Sequence, residues 1–213
     1  MLVFDFFAGT GSSTQAFADA GHTVITFELD TQFEATEHVN IFDLTAEYLL
    51  STYGQPDFIW ASPPCTAFSV ASMGHHWTGG GRAYIPKTEA AKSSQLLVAH
   101  TLELIAKLKP TQGWLMENPR GMLRKLPVVA GYERRTVTYC TYGDKRMKPT
   151  DLWGSVQGWT PRTPCKNGMP CHEAAPRGSK TGTQGIKGAK NRSRVPHQLG
   201  AEILKVILKE ENE

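Results

Sequence analysis

The chain begins on an almost unbroken apolar run, Leu2-Val3-Phe4-Asp5-Phe6-Phe7. It stops at Gly9-Thr10-Gly11 and resumes as a helix reaching Ala20, with Ser12, Ser13 or Thr14 available as a cap. A strand without polar alternation has to be covered on both faces, as it is in a parallel sheet layered with helices. Further β-branched and aromatic runs at 23–27, 39–41, 57–61 and 113–117 are separated by helical patterns at 44–52 and 92–109. The longer helix carries Leu96, Leu97, Leu102, Ile105 and Leu108 on one stripe and stops before Pro110. Two last strands fall within 134–140 and 151–156, and an amphipathic helix at 197–209 closes the pattern. This alternation predicts an α/β fold: a mostly parallel sheet with helices on both faces and ligands at the carboxyl ends of the strands.

Two stretches fit no regular element. Residues 62–92 include Gly74, His75-His76 and Gly79-Gly80-Gly81, and read as a long mobile loop. Residues 158–194 hold six glycines and few hydrophobic residues. Loops of this length in a compact domain are usually functional or disordered. The expected organisation is a core over 1–157, a short basic insert over 158–194 and a terminal helix over 195–213 that returns to the core.

Charge separates the two halves. Residues 1–81 contain nine acids and no Lys or Arg, whereas 82–213 contain all 23 basic residues and eleven acids. Within 162–194 eight basic residues (Arg162, Lys166, Arg177, Lys180, Lys187, Lys190, Arg192, Arg194) face Glu173 alone. Such asymmetry points to a polyanion, and so to nucleic acid, as the partner of the second half. No window approaches 18 uncharged apolar residues and no cleavable leader is visible, so a soluble, cytoplasmic protein with no membrane contact is expected. Four irregularly spaced cysteines (Cys65, Cys140, Cys165, Cys171) suit a reducing compartment better than a disulfide framework.

The acids and glycines fall where a nucleoside would bind. Gly9 and Gly11 let a backbone turn tightly after the first strand. Glu28, 17 residues beyond Gly11 at the end of the second strand, is placed to accept from ribose hydroxyls. Asp43, after the third, could accept from an adenine amino group. With no third glycine and no Gly-Lys-Ser/Thr phosphate loop, a cofactor without a pyrophosphate fits better. Just past the fourth strand, Pro63-Pro64 stiffen the backbone before Cys65, which suits a nucleophile aimed at one electron-poor ring carbon. Glu117, at the end of the fifth strand, brings a carboxyl group to the same sheet edge, able to donate to a ring nitrogen while sulfur adds.

With these residues in place the chain resembles the DNA cytosine-5 methyltransferases. Asp5-Phe6-Phe7-Ala8-Gly9-Thr10-Gly11 is similar to that family's first motif, Pro63-Pro64-Cys65 with Phe68-Ser69 to its nucleophile motif, and Glu117-Asn118 to its glutamate motif, in the family's order. Tyr142-Gly143 with Arg146 and Lys148 lies near the position of an arginine motif. The resemblance implies a seven-stranded Rossmann-like methyltransferase fold that binds S-adenosylmethionine through Asp5, Phe7, Ala8, Gly9, Gly11, Glu28, Asp43 and Pro63. It implies double-stranded DNA as substrate, Cys65 adding to carbon 6 of a flipped-out cytosine, and Glu117 at ring nitrogen 3. Arg146 would contact the base oxygen or a phosphate, with Lys148 as a weaker substitute. The loop from Thr66 to Lys92 becomes the expected lid.

Thr66 and Pro119 stand where the family usually has Gln and Val, and neither change removes a reacting group. The insert offers few rigid side chains for reading base edges, so short or relaxed sequence specificity is expected. The compact form suggests a phage or bacterial enzyme acting as a monomer. A tRNA cytosine-5 methyltransferase and a catalytically inactive nucleic-acid-binding relative are the alternatives. Cys165 and Cys171-His172 raise a metal question. Cys-x5-Cys-His is not a recognised zinc spacing, and a fourth ligand would have to come from afar, such as Cys140, so loop residues without a metal role are expected.

Overall fold

A computed structural model describes residues 1–80, 83–166, 168–174 and 188–209. Its strands are β1 (Leu2–Phe6), β2 (Thr23–Glu28), β3 (Glu37–His38), β4 (Phe58–Ala61), β5 (Trp77–Gly80), β6 (Ala83–Pro86), β7 (Gly113–Pro119), β8 (Arg134–Thr138) and β9 (Pro149–Ser155). The helices are α1 (Gln15–Asp19), α2 (Ala46–Tyr53), α3 (Met73–His76), α4 (Glu89–Leu108), α5 (Ala189–Ser193) and α6 (His197–Ile207).

Seven strands form one sheet in the order β3-β2-β1-β4-β7-β9-β8. The first five are mutually parallel, and β9 runs antiparallel to both of its neighbours. The mostly parallel, Rossmann-like reading therefore holds, with β9, between β7 and β8, the one strand of this sheet that runs against the rest. Period-two alternation along β1 explains its composition. Phe4 and Phe6 enter a cluster with Phe27, Ile59, Leu49 of α2 and Leu102 of α4. Val3 points the other way, into a cluster with Phe17 of α1, Phe58, Trp60, and Leu199 and Ile203 of α6. Helices thus cover both faces, which is why β1 and β4 need no polar face.

Helix ends follow local chemistry. Thr45 caps α2 by accepting from the Tyr48 N–H, and Thr88 caps α4 by accepting from Ala91. Thr14 precedes α1 but makes no cap bond: its backbone (φ −112°, ψ 5°) is outside the extended region that caps adopt, and its hydroxyl donates to Asp5. No described helix is long and apolar enough to cross a membrane.

Three expectations change. The third strand lies at Glu37–His38, and the apolar 39–41 stretch leads instead into a 3-10 turn over Ile41–Asp43 capped by Asn40. The stretch at 62–92 is not an irregular loop: α3 and an antiparallel β5–β6 hairpin organise it, although Gly81 and Arg82 lie outside the described residues. Trp77 roots the hairpin, stacking on Phe68 and donating through Nε1 to the Ala67 carbonyl at 2.7 Å. The insert is also bound to the core at its described ends. Trp159 is buried, Arg162 N–H donates to the Tyr142 hydroxyl, and α5 lies against the segment after β8. Arg177, Lys180 and Lys187 lie outside the described residues.

Candidate active site

The carboxyl ends of β1, β2, β4 and β7 meet at one edge of the sheet, and the turn after β1 shapes it. Phe7 adopts a left-handed backbone (φ +62°), as do Gly9 (+53°) and Gly11 (+66°). The amides of Phe7 and Ala8 both donate to the Phe27 carbonyl, at 2.9 and 3.1 Å, folding the turn against β2. Gly9 N–H donates to Glu28 Oε2 at 2.8 Å, and Glu28 Oε1 accepts from Leu29 and Asp30 amides at 2.9 Å each. Three backbone donors therefore fix the Glu28 carboxylate at the mouth of a hollow lined by Phe7, Glu28, Asp30, Asn40, Pro64 and Leu97, among others. The hollow has an aromatic wall, aliphatic walls and a fixed acceptor, as a nucleoside requires.

Not every expected cofactor residue reaches it. Asp5 is fully buried on the α1 face of β1, where Oδ2 accepts from Ser13 Oγ (2.8 Å) and Thr14 Oγ1 (2.7 Å). It holds the glycine turn from below, and burial pushes its pKa up to about 7. Asp43 is exposed in the 3-10 turn, and Asn40 and Ile41 line the hollow in its place, because the turn carries Asp43 onward. Pro63 is buried, its carbonyl accepting from Asn118 Nδ2 at 2.9 Å, and the exposed Pro64 is the proline that faces the hollow. Asp30, Asn40 and Leu97 were missed. Leu97 belongs to a helical stripe, and nothing in the sequence says which of its residues lies at the sheet edge.

Cys65 sits half-buried at the start of a turn in which its carbonyl accepts from Phe68 N (2.9 Å) and Ser69 N (3.0 Å). Glu117 is buried on β7. Its Oε1 accepts from the Tyr139 hydroxyl at 2.9 Å and faces Lys148 Nζ at 3.6 Å. The ammonium of Lys148 also lies 4.8 Å from the centre of the Tyr139 ring. Burial, then the charge of Glu117, pushes the Cys65 thiol pKa up, and Lys148 opposes them. Burial and Glu117 likewise keep Tyr139 protonated, so that it donates. Tyr139 was missed in the sequence because only the β7–β9–β8 register brings it to Glu117.

Arg146 does not take the expected position at the base. Its guanidinium pairs with Asp144, through Nε at 2.7 Å and through Nη2, and donates to the carbonyls of Asn191 (3.1 Å), Arg192 (3.0 Å) and Arg194 (3.0 Å). With those donors committed, it clamps the segment leading to α6, and Lys148 is the cation facing Glu117. α6 then returns to the glycine turn. Val195 N–H donates to Ser12 Oγ at 3.0 Å, and His197 pairs with Asp19 of α1. Cys165, Cys171 and His172 lie apart from this site, and the fold gathers their ligand atoms with that of Cys140 within 4.8 Å of one another.

Known proteins resemble this chain in sequence and in fold. Residues 1–127 match the family model of the C-5 cytosine-specific DNA methylases. A probable DNA (cytosine-5)-methyltransferase of Frog virus 3 (isolate Goorha) is 29% identical over 219 residues, covering 96% of this chain and 99% of that protein. Among solved structures, the Entamoeba histolytica methyltransferase EhMeth superposes with a TM-score of 0.54 at 14% identity, over 82% of this chain and 57% of its own. A variant of Spodoptera frugiperda DNMT2 matches with a TM-score of 0.48 at 18% identity, over 79% and 57%. The chain thus spans little more than half the length of these solved proteins, and the likeness to EhMeth is one of fold. The match of the family model over more than half of the chain places it in the C-5 cytosine-specific DNA methylase family, whose members are S-adenosylmethionine-dependent transferases.

Proposed function

We propose that this chain methylates carbon 5 of cytosine in double-stranded DNA, through a covalent bond between Cys65 and carbon 6 of a flipped-out base. The observation that carries this reading is the meeting of a thiol, a buried carboxylate and an ammonium group beside a nucleoside-shaped hollow. The hollow fits S-adenosylmethionine, with Glu28 fixed to accept from ribose hydroxyls and Phe7, Asn40, Pro64 and Leu97 around the base. When bound there, that cofactor supplies an electrophilic methyl group.

The protein's own residues manage the proton and the sulfur. Lys148 offsets the burial that opposes ionisation of Cys65. Glu117, held by Tyr139, takes up the proton that Cys65 releases on ionising and passes it to ring nitrogen 3 as sulfur adds to carbon 6, which enriches carbon 5 in electrons. Loss of the carbon 5 proton to water later breaks the carbon–sulfur bond, and the expelled thiolate regains its proton as ring nitrogen 3 gives its own back through Glu117. The Trp77-rooted hairpin stands beside the Cys65 turn and would cover the extruded base. DNA as substrate is supported by the basic second half of the chain. Monomeric action and a short or relaxed recognition site accord with so small an insert.

The test is transfer of labelled methyl to double-stranded DNA and, in parallel, to tRNA. Wild type is expected to label DNA cytosine, Cys65→Ser to label nothing, and Glu117→Gln to lose about 100-fold or more in kcat. Removing the Glu117 charge should at the same time lower the pH at which iodoacetamide alkylates Cys65, which separates its electrostatic effect from misfolding. DNA carrying 5-fluorocytosine should form a stable adduct, because fluorine cannot leave as the proton does. Undiminished transfer by Cys65→Ser, or label on tRNA alone, would overturn the proposal.

A further inference from the structure

Away from the sheet edge, four potential metal ligands converge. Cys140 lies in a 3-10 turn (Tyr139–Tyr142) directly after β8 and is buried, whereas Cys165, Cys171 and His172 come from the first part of the insert. Their ligand atoms all lie within 4.8 Å of one another, the one such group among the described residues. Cys165 Sγ is 3.1 Å from Cys171 Sγ and 3.5 Å from His172 Nδ1, and Cys171 Sγ is 3.6 Å from that nitrogen. A tetrahedral zinc ion with Zn–S near 2.3 Å and Zn–N near 2.05 Å has edges of about 3.8 Å between sulfurs and about 3.6 Å between sulfur and nitrogen. Both sulfur–nitrogen separations meet that value, and the sulfur pair needs to open by less than an ångström. All three cysteines are free of disulfides.

The loop is delivered to Cys140 from both sides. Before the cluster, Cys165 N–H donates to Thr138 Oγ1 at 2.7 Å. After it, Glu173 N–H donates to the Lys145 carbonyl at 2.9 Å, and the Glu173 carboxylate pairs with Lys145 at 3.3 Å. These two anchors hold the loop in register with the turn, so the ligands meet without the metal having to gather a free chain. Cys165 also points its thiol at the Lys166 carbonyl, at 3.2 Å, a weak alternative partner.

We infer that Cys140, Cys165, Cys171 and His172 form a structural zinc site that fixes the basic insert to the core. Three thiolates and an imidazole nitrogen suit zinc over harder cations, and four protein ligands leave no open position for catalysis. The role is mechanical. The site lies one short turn from Asp144 and Arg146, whose clamp sets the path of the chain from α5 into α6. The insert has few hydrophobic residues with which to pack, and a metal supplies what a core cannot. This inference does not depend on the methyl-transfer reading.

The experiment is metal analysis of the purified full-length chain, followed by exchange into cobalt. Wild type is expected to hold one zinc per chain. Its cobalt form should show the intense visible bands of a tetrahedral ion together with near-ultraviolet sulfur-to-metal charge transfer. Cys171→Ser, at an exposed position, and His172→Ala should lower zinc retention at least tenfold while the far-ultraviolet dichroism is kept, whereas Cys65→Ser should retain the full equivalent. Three observations would each overturn the inference: substoichiometric zinc that re-addition does not restore, a cobalt spectrum unchanged in Cys171→Ser, or a Cys165–Cys171 disulfide in protein purified with reductant.

Discussion

At the scale of single residues, the site is governed by which polar groups the fold isolates from water. Asp5 is the clearest case, fully buried and served by two hydroxyls. An acid whose pKa is raised from 3.8 to about 7 on folding holds its proton more tightly in the native state. Its contribution to stability is complete at low pH and is lost as pH rises across that interval, on the order of 4 kcal/mol in all. Thermal melts from pH 4 to pH 8 should show this slope in wild type and a flatter one in Asp5→Asn, which keeps an oxygen for Ser13 and Thr14 but carries no charge. An equal slope in both proteins would remove Asp5 as its source. Arg146 teaches the converse. A guanidinium with five donors finds a carboxylate and three carbonyls in its surroundings, and it settles there rather than waiting exposed for a base.

Between elements, the decisive contacts join the Cys65 turn to the strand that carries Glu117. Asn118 Nδ2 reaches the Pro63 carbonyl, and Met122 N–H donates to the Phe68 carbonyl at 2.7 Å. Gly121 permits the second contact, since a Cβ there would stand 2.2 Å from the Phe68 oxygen. Gly121→Ala should therefore cost about 1–3 kcal/mol and, by displacing the Cys65 turn, lower kcat tenfold or more. Gly131→Ala, where a Cβ meets nothing within 4 Å, should stay within about 0.5 kcal/mol of wild type and keep its activity. Melting temperature and methyl transfer on the same two proteins decide the matter. The hairpin β5–β6 shows why such elements escape sequence reading. Gly79-Gly80 has no strand propensity of its own, and its pairing with Ala83–Pro86 rests on the anchorage of Trp77.

Across the whole molecule, charge and layering act together. All the Lys and Arg residues follow residue 81, so under the proposed function the chain's second half would meet the polyanion while its acid-rich first half would build the cofactor side. If about five phosphates are contacted, the Kd for DNA should rise roughly 500-fold between about 50 and about 200 mM salt. A binding titration that is flat over this range would exclude phosphate contacts as the main source of affinity.

The sequence by itself determined the layered α/β architecture, the glycine turn, and the placing of Glu28, Cys65 and Glu117 at strand ends. Each of these is a local pattern, in which strand periodicity and turn chemistry act over a few residues. Tertiary structure alone decided which neighbour each group meets. Tyr139 beside Glu117, Arg146 turned onto the α5 carbonyls, Asn40 rather than Asp43 at the hollow, and Cys140 with Cys165, Cys171 and His172 all join residues from separate elements. Strand register and loop path set those meetings, and neither is written in the spacing of any one segment.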